Sequence, residues 1–209
     1  MATAAALSDL GPGEFLGTID VLVGIYADAM DADEGLLPGR RELMRRHVGY
    51  PAFKALQARA AGTPLAAERS RPVLGFSYGF HGQRGQWWYD AVSAALTRAI
   101  GSATTASWLA DCIEVAELHV RKDQQRCGIG TRLLTGLTAG RPERTALLST
   151  PDRDSTARRL YRRMGFRDLL TGYSFPGGSP PYTVMGAVLP LRDPVAAASL
   201  PRSASPSAW

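Results

Sequence analysis

The stretch Gln125-Arg126-Cys127-Gly128-Ile129-Gly130-Thr131 decides how this chain reads, because of what stands on either side of it. Residues 112–120 (CIEVAELHV) mix β-branched and polar side chains in short alternation and predict a strand. Residues 130–137 place Leu133, Leu134 and Leu137 at helical spacing. The local order is therefore strand, glycine turn, helix. Gly128 and Gly130 remove Cβ atoms where a ligand would approach the main chain, and the first-turn N–H groups of the helix are unpaired donors at the positive end of a dipole. Such a turn cradles a pyrophosphate without a dedicated side chain; the competing reading is an ordinary strand-to-helix turn with two glycines. A dinucleotide fingerprint is disfavoured, since position 133 is Leu rather than Gly and the motif lies well past the middle of the chain.

The pattern that does match is Q/R-x-x-G-x-G/A, at Gln125, Gly128 and Gly130, and the match extends in both directions. Leu118-His119-Val120 followed by residues 121–124 reads as an L-x-V strand end and its loop, with Lys122 where Pro is common. Residues 145–150 (TALLST) suit a following parallel strand. Residues 155–166 (STARRLYRRMGF) fit a helix of the form A-x-x-L-Y-x-x-x-G-F at Ala157, Leu160, Tyr161, Gly165 and Phe166. Through these residues the chain resembles the GNAT superfamily of N-acetyltransferases, most specifically between Glu114 and Phe166.

That resemblance implies a mixed α/β fold, a twisted and mostly antiparallel sheet with a central splayed parallel pair flanked by helices. It implies acetyl-CoA (CoA) as co-substrate, with the pantetheine arm along Leu118, His119 and Val120 and the pyrophosphate held by Gln125, Arg126, Cys127, Gly128, Ile129, Gly130 and Thr131. Asp154 stands where many members carry Asn, and together with Ala157 it is assigned to the cofactor side. The Leu118 N–H becomes the candidate oxyanion donor, and Tyr161 the candidate general acid for the leaving thiolate. A plain packing role for Tyr161 beside Phe166 is the alternative. Glu114 and Glu117 are the candidate bases. Period-two geometry puts them on opposite faces of an unbroken strand, so one at most would face the acceptor unless a bulge changed the parity. For either glutamate, a strand-end ion pair is the competing role.

Composition fits a single domain: 209 residues, 45% hydrophobic and 21% charged, suffice for a sizeable core. The net charge of +5 is carried by scattered arginines rather than by a stripe interleaved with aromatics, so a nucleic-acid partner is not expected. Two cysteines without C-x-x-C spacing give no disulfide framework, and three widely spaced histidines suggest no metal site. No basic leader and no membrane-length apolar run are read, so the expected compartment is the cytoplasm and no membrane partner is expected. A homodimer through sheet edges or the insertion is compatible with the chain, which encodes no readable oligomeric state.

Along the rest of the sequence, residues 7–10 suit a short first strand, and residues 14–30 an amphipathic helix with Phe15, Ile19, Leu22, Val23 and Tyr26 inward. A loop is expected over 31–39, one or two helices over 40–61 broken at Gly49-Tyr50-Pro51, a weak strand over 65–70, and a core strand over 72–81. About thirty residues, 82–111, then stand where a hairpin turn would suffice, which implies an insertion in a domain spanning 1–192; residues 193–209, rich in Pro, Ser and Ala, read as a tail. The insertion carries Trp87-Trp88-Tyr89 at the head of a helical stretch. Successive helical residues point about 100° apart, so one or more of the three should face a pocket or partner; the competing reading is that all three pin the insertion onto the sheet. With Tyr78, Phe80 and the loop 175–182, these aromatics are expected to build an acceptor pocket, with His81 as a further base candidate. An aromatic pocket with a carboxylate floor suits a small primary amine; a protein amino terminus or lysine is the alternative acceptor, and a non-catalytic acyl-CoA sensor the alternative class.

Overall fold

The computed structural model describes residues 5–61 and 71–192. The elements follow in the order β1 (Ala5–Leu10), α1 (Pro12–Met30), a 3-10 turn (Glu34–Leu36), α2 (Leu37–His47), β2 (Lys54–Ala60), β3 (Val73–Gly82), α3 (Trp87–Ile100), α4 (Ser102–Leu109), β4 (Cys112–Val120), a second 3-10 turn (Lys122–Gln124), α5 (Ile129–Thr138), β5 (Thr145–Pro151), α6 (Thr156–Arg163), β6 (Arg167–Tyr173) and β7 (Tyr182–Val188). The strands form one seven-stranded sheet in the order β1-β2-β3-β4-β5-β7-β6. Neighbours are antiparallel except β4 and β5, which run parallel at the centre. This is the mixed α/β arrangement expected from the sequence.

Alternation along the strands divides the core between the two faces. Ile113, Val115, Leu148 and Met185 point to the face covered by α5 and α6, where they meet Leu133, Leu134, Leu137 and Tyr161. On the other face α1 and α2 cover the β2–β3–β4 half, with Phe15, Ile19, Leu22 and Met44 against Phe76, Tyr78 and Phe80. The same face over β5 and β7 is covered by α3 and α4, with Val92, Leu96, Trp108 and Leu109 against Cys112, Leu147 and Val184. Residues 83–111 thus supply the helical layer for one half of the sheet. A cleft opens between the two helical pairs on that face.

Most expected elements are present, and α1 buries every residue named for its inward face. Residues 54–60 differ. KALQARA is composed of good helix formers, yet it is strand β2, paired with β1 on one side and β3 on the other. Two ladders of backbone hydrogen bonds outweigh intrinsic preferences of a few tenths of a kcal/mol per residue. Helix α2 also begins at Leu37, inside the expected loop, with Pro38 in its first turn. The strand expected over 65–70 and the tail over 193–209 lie outside the described residues.

Candidate active site

β4 and β5 pair only from Cys112–Glu114 to Thr145–Leu147. Beyond that point β4 stays with β3 as far as Val120, and β5 stays with β7 as far as Pro151. The strands therefore splay, and the facing edges of residues 115–120 and 148–151 keep backbone groups with no ladder between them. The cleft so formed has a volume of about 820 Å³. At its outer end, Gly128 caps α5 at φ 80°, a left-handed conformation that glycine adopts without strain, and Arg126 precedes it at φ 62°. A Cβ on Gly130 would lie 3.3 Å from Leu160 Cδ2, so this close helix packing requires glycine or a shift of that side chain.

Leu118, His119, Val120, Gln125, Arg126, Gly128, Gly130, Thr131 and Ala157 all line this cleft. Gln125 also holds the local backbone together, since its Nε2 donates to the Val120 carbonyl at 3.1 Å and closes the loop onto the strand end. Three other residues assigned to the cofactor side have side chains off the wall. Ile129 is buried in the core under α5, the Cys127 thiol is exposed and donates to the Gln125 carbonyl at 3.5 Å, and Asp154 pairs with Arg159 at 2.5 Å on the surface. Asp154 sits outside the cleft because that exposed pair holds its carboxylate.

The two glutamates lie on one face. In the β3–β4 ladder Tyr78 faces Glu117 while Gly79 faces Val115, so Ala116 is an extra residue and β4 is bulged there. The bulge shifts the parity, and Glu114, Glu117 and His119 all line the cleft. Glu117 is fully partnered: Arg40 Nη1 donates to its Oε1 at 2.7 Å and His119 Nε2 bonds its Oε2. Burial alone would raise its pKa, but Arg40 and His119 outweigh that and hold it below the usual carboxylate range. Glu114 has no such help. Its Oε2 is buried with no hydrogen-bond partner, and burial followed by the charge of Glu117 pushes its pKa up to about 8. Tyr161 also lines the cleft, with its ring 5.7 Å from that of Phe166; burial and the charge of Glu117 keep its phenol protonated well above the ordinary range.

At the inner end the wall is aromatic. Phe80, Trp87 and Trp88 line it as expected, joined by Phe175 and Tyr182 from the β6–β7 loop and the start of β7. Trp87 is 58% exposed, while the Trp88 indole donates to Ser149 Oγ at 3.0 Å on the splayed edge of β5. Tyr78, His81 and Tyr89 are not on the wall. Tyr78 is wholly buried, with its hydroxyl 3.0 Å from His47 Nδ1; the Tyr89 hydroxyl donates to the Leu109 carbonyl at 3.2 Å; His81 Nδ1 lies 3.3 Å from Glu143 Oε1. For Tyr78 the reason is packing between Phe15 and Phe53, which takes its ring into the core under α1.

Two comparisons bear on identity. The acetyltransferase (GNAT) domain family matches residues 85–168. The GCN5-like protein acetyltransferase Rv2170 of Mycobacterium tuberculosis is 37% identical over 205 residues, which cover 90% of this chain and 100% of that protein. The chain belongs to the GNAT acetyltransferases. Among solved structures, Arabidopsis thaliana NAA60 in complex with acetyl-CoA matches 89% of this chain and 99% of its own at 17% identity, with a TM-score of 0.60. The ribosomal-protein-S18-alanine N-acetyltransferase of Escherichia coli matches 89% and 94% at 14% identity, with a TM-score of 0.58. Both share the fold. This GNAT protein is an acyltransferase with acetyl-CoA as co-substrate, and its splayed strands and glycine cap provide backbone donors and room suited to that ligand.

Several wall residues of this GNAT cleft carry no mark in the sequence. Tyr26 on α1, Arg40, Arg46 and His47 on α2, and Tyr50 after it all line the inner half. Arg40 is recognisable only through its partners, Glu117 and the Tyr26 hydroxyl at 3.0 Å, which lie 77 and 14 positions away along the chain. Among the described residues no helix is long and apolar enough to cross a membrane.

Proposed function

We propose that this chain transfers an acetyl group from acetyl-CoA to a primary amine of a polypeptide, with Glu114 as the general base and Tyr161 as the general acid. The observation that carries the assignment is the unpartnered, buried Glu114 oxygen in the cleft beside a locked and ionised Glu117. Two neighbouring carboxylates with pKa values driven apart divide the labour, one staying charged and the other exchanging a proton near neutral pH. Acetyl-CoA supplies the thioester that is attacked. Glu114 takes a proton from the incoming ammonium, and the nitrogen lone pair then forms the new C–N bond as the C–S bond breaks. The Leu118 N–H, on the splayed edge of β4, is the proposed donor to the charge that develops on the carbonyl oxygen. Tyr161 delivers a proton to the departing thiolate. Of the two protons that the nitrogen gives up, one leaves through Glu114 and the other balances the proton that Tyr161 donates.

The sequence favours a small amine; the exposed Trp87 at the mouth favours a larger acceptor, and the name of the mycobacterial relative, a protein acetyltransferase, points the same way. Both cysteines are free thiols, which suits a reducing cytoplasm. The test is thiol release with Glu114→Gln. Loss of a general base should cut kcat by about 10²–10⁴ while acetyl-CoA binding persists. An unchanged kcat would remove Glu114 from the role.

A further inference from the structure

The mouth of the cleft has two lips of different chemistry. One is aromatic: Trp87 from α3, its ring 5.4 Å from that of Phe175, with Tyr182 beside them. The other is the last turn of α2, which carries Arg45, Arg46 and His47. Arg46 lines the cleft and is exposed, and among the described residues it has no ion-pair partner, Glu42 one turn back included. Arg40, by contrast, is engaged with Glu117 and Tyr26. His47 adds no charge at neutral pH, since burial and the nearby Arg40 and Arg46 outweigh Glu117 and hold its pKa down to about 4. Arg46 stands on the acceptor half. Arg40 of the same helix touches Glu117, and His47 packs 4.8 Å from Phe80, which faces Glu114 across the β3–β4 ladder. The cradle end has its own cation in Arg126.

Resting on the reading of a polypeptide amine as acceptor, we propose that Arg46 is a specificity-determining residue that selects an acidic side chain next to the reactive amine. Glu114 on the floor receives the amine, and the unpaired guanidinium at the lip meets the neighbouring residue. An extended peptide advances about 3.3 Å per residue, so a Glu one or two positions from the amine stands roughly 3–7 Å further along the chain, on the side of the bound amine that Arg46 lines. A single exposed ion pair adds little, and a like charge in its place costs a similar amount, so exchanging an acidic for a basic neighbour changes kcat/KM by roughly tenfold at low salt. The difference shrinks as salt screens it.

The experiment uses the full chain, acetyl-CoA and synthetic peptides that offer one amine, as a lysine in one set and as the amino terminus in the other, with Glu, Ala or Arg beside it. Wild type should prefer Glu over Ala over Arg in at least one set, and Arg46→Glu should invert that order while KM for acetyl-CoA stays within about twofold. Indifference of wild type to the neighbour, an order that survives Arg46→Glu, or a raised acetyl-CoA KM in the variant would each overturn the proposal. If wild type acetylates no peptide in either set although acetyl-CoA raises its melting temperature, the polypeptide reading fails first and takes the Arg46 assignment with it.

Discussion

Glu114, the proposed base, is a buried carboxyl that the folded state pays to keep. Its pKa rises from an ordinary value of 4.5 to about 8, with burial the first cause and Glu117 the second. The folded chain thus holds a proton that the unfolded chain releases between those pH values, so the associated stability is complete below about 4.5 and is lost as pH rises through about 8. At pH 7 the imbalance is on the order of 3 kcal/mol. Glu114→Gln abolishes it. The melting temperature of that variant should match wild type near pH 5 and exceed it by several degrees at pH 8; a pH-independent difference would mean that Glu114 titrates normally. Catalysis should have the opposite dependence: kcat/KM rises with pH as Glu114 ionises, with a limb near 8 that Glu114→Gln lacks. Tyr161→Phe removes the proposed acid without changing ring packing against Phe166, so kcat should fall by about 10²-fold while acetyl-CoA affinity, read by isothermal titration, stays nearly the same.

At the level of elements, the bulge in β4 decides whether Glu114 and Glu117 share the cleft, and its support lies on the neighbouring strand. Gly79 faces Val115 just past the extra residue, and a Cβ there would meet the Glu114 carbonyl oxygen at 2.4 Å. That contact is with backbone, so the strand itself would have to move. Gly79→Ala should cost about 1–3 kcal/mol in urea unfolding and lower kcat as well, because the displaced segment carries Glu114. Retained stability and rate would show that the bulge tolerates displacement. This is also where the sequence stops being legible. Glycine turn, helix α5 and the Tyr161 helix are local patterns, visible in consecutive residues. The parity of Glu114 and Glu117 is not, since it depends on one extra residue opposite β3; nor is β2, whose helix-forming composition is overruled by two neighbours far away in the chain. Tyr78 illustrates the same limit from another side: as an aromatic residue on a core strand it suits a pocket wall or the core, and only the packing of Phe15 and Phe53 decides for the core.

Across the whole molecule, the cleft divides the sheet into two halves that share few backbone bonds. Among the described residues, the β1–β4 half and the β5–β7 half are joined along the sheet only by the short ladder from Cys112–Glu114 to Thr145–Leu147, with α5 and α6 packed behind and α1–α2 and α3–α4 on separate sides of the front. A ligand that lies between the splayed edges bonds to both halves, and it therefore acts on the opening of the sheet as well as on the cradle. Acetyl-CoA at about 100 times its dissociation constant should stabilise the fold by about 2.7 kcal/mol, a rise of roughly 5–10 °C in melting temperature for a chain of this size. The location of the added protection is the sharper prediction. In hydrogen exchange, amides of residues 115–120, 148–151 and the first turn of α5 should slow together on addition of acetyl-CoA, whereas those of β1 and β2, already held by antiparallel ladders, should change little. Slowing confined to α5 would mean that the ligand touches the cradle without entering the slot, and the splay would then have no part in holding the thioester against Glu114.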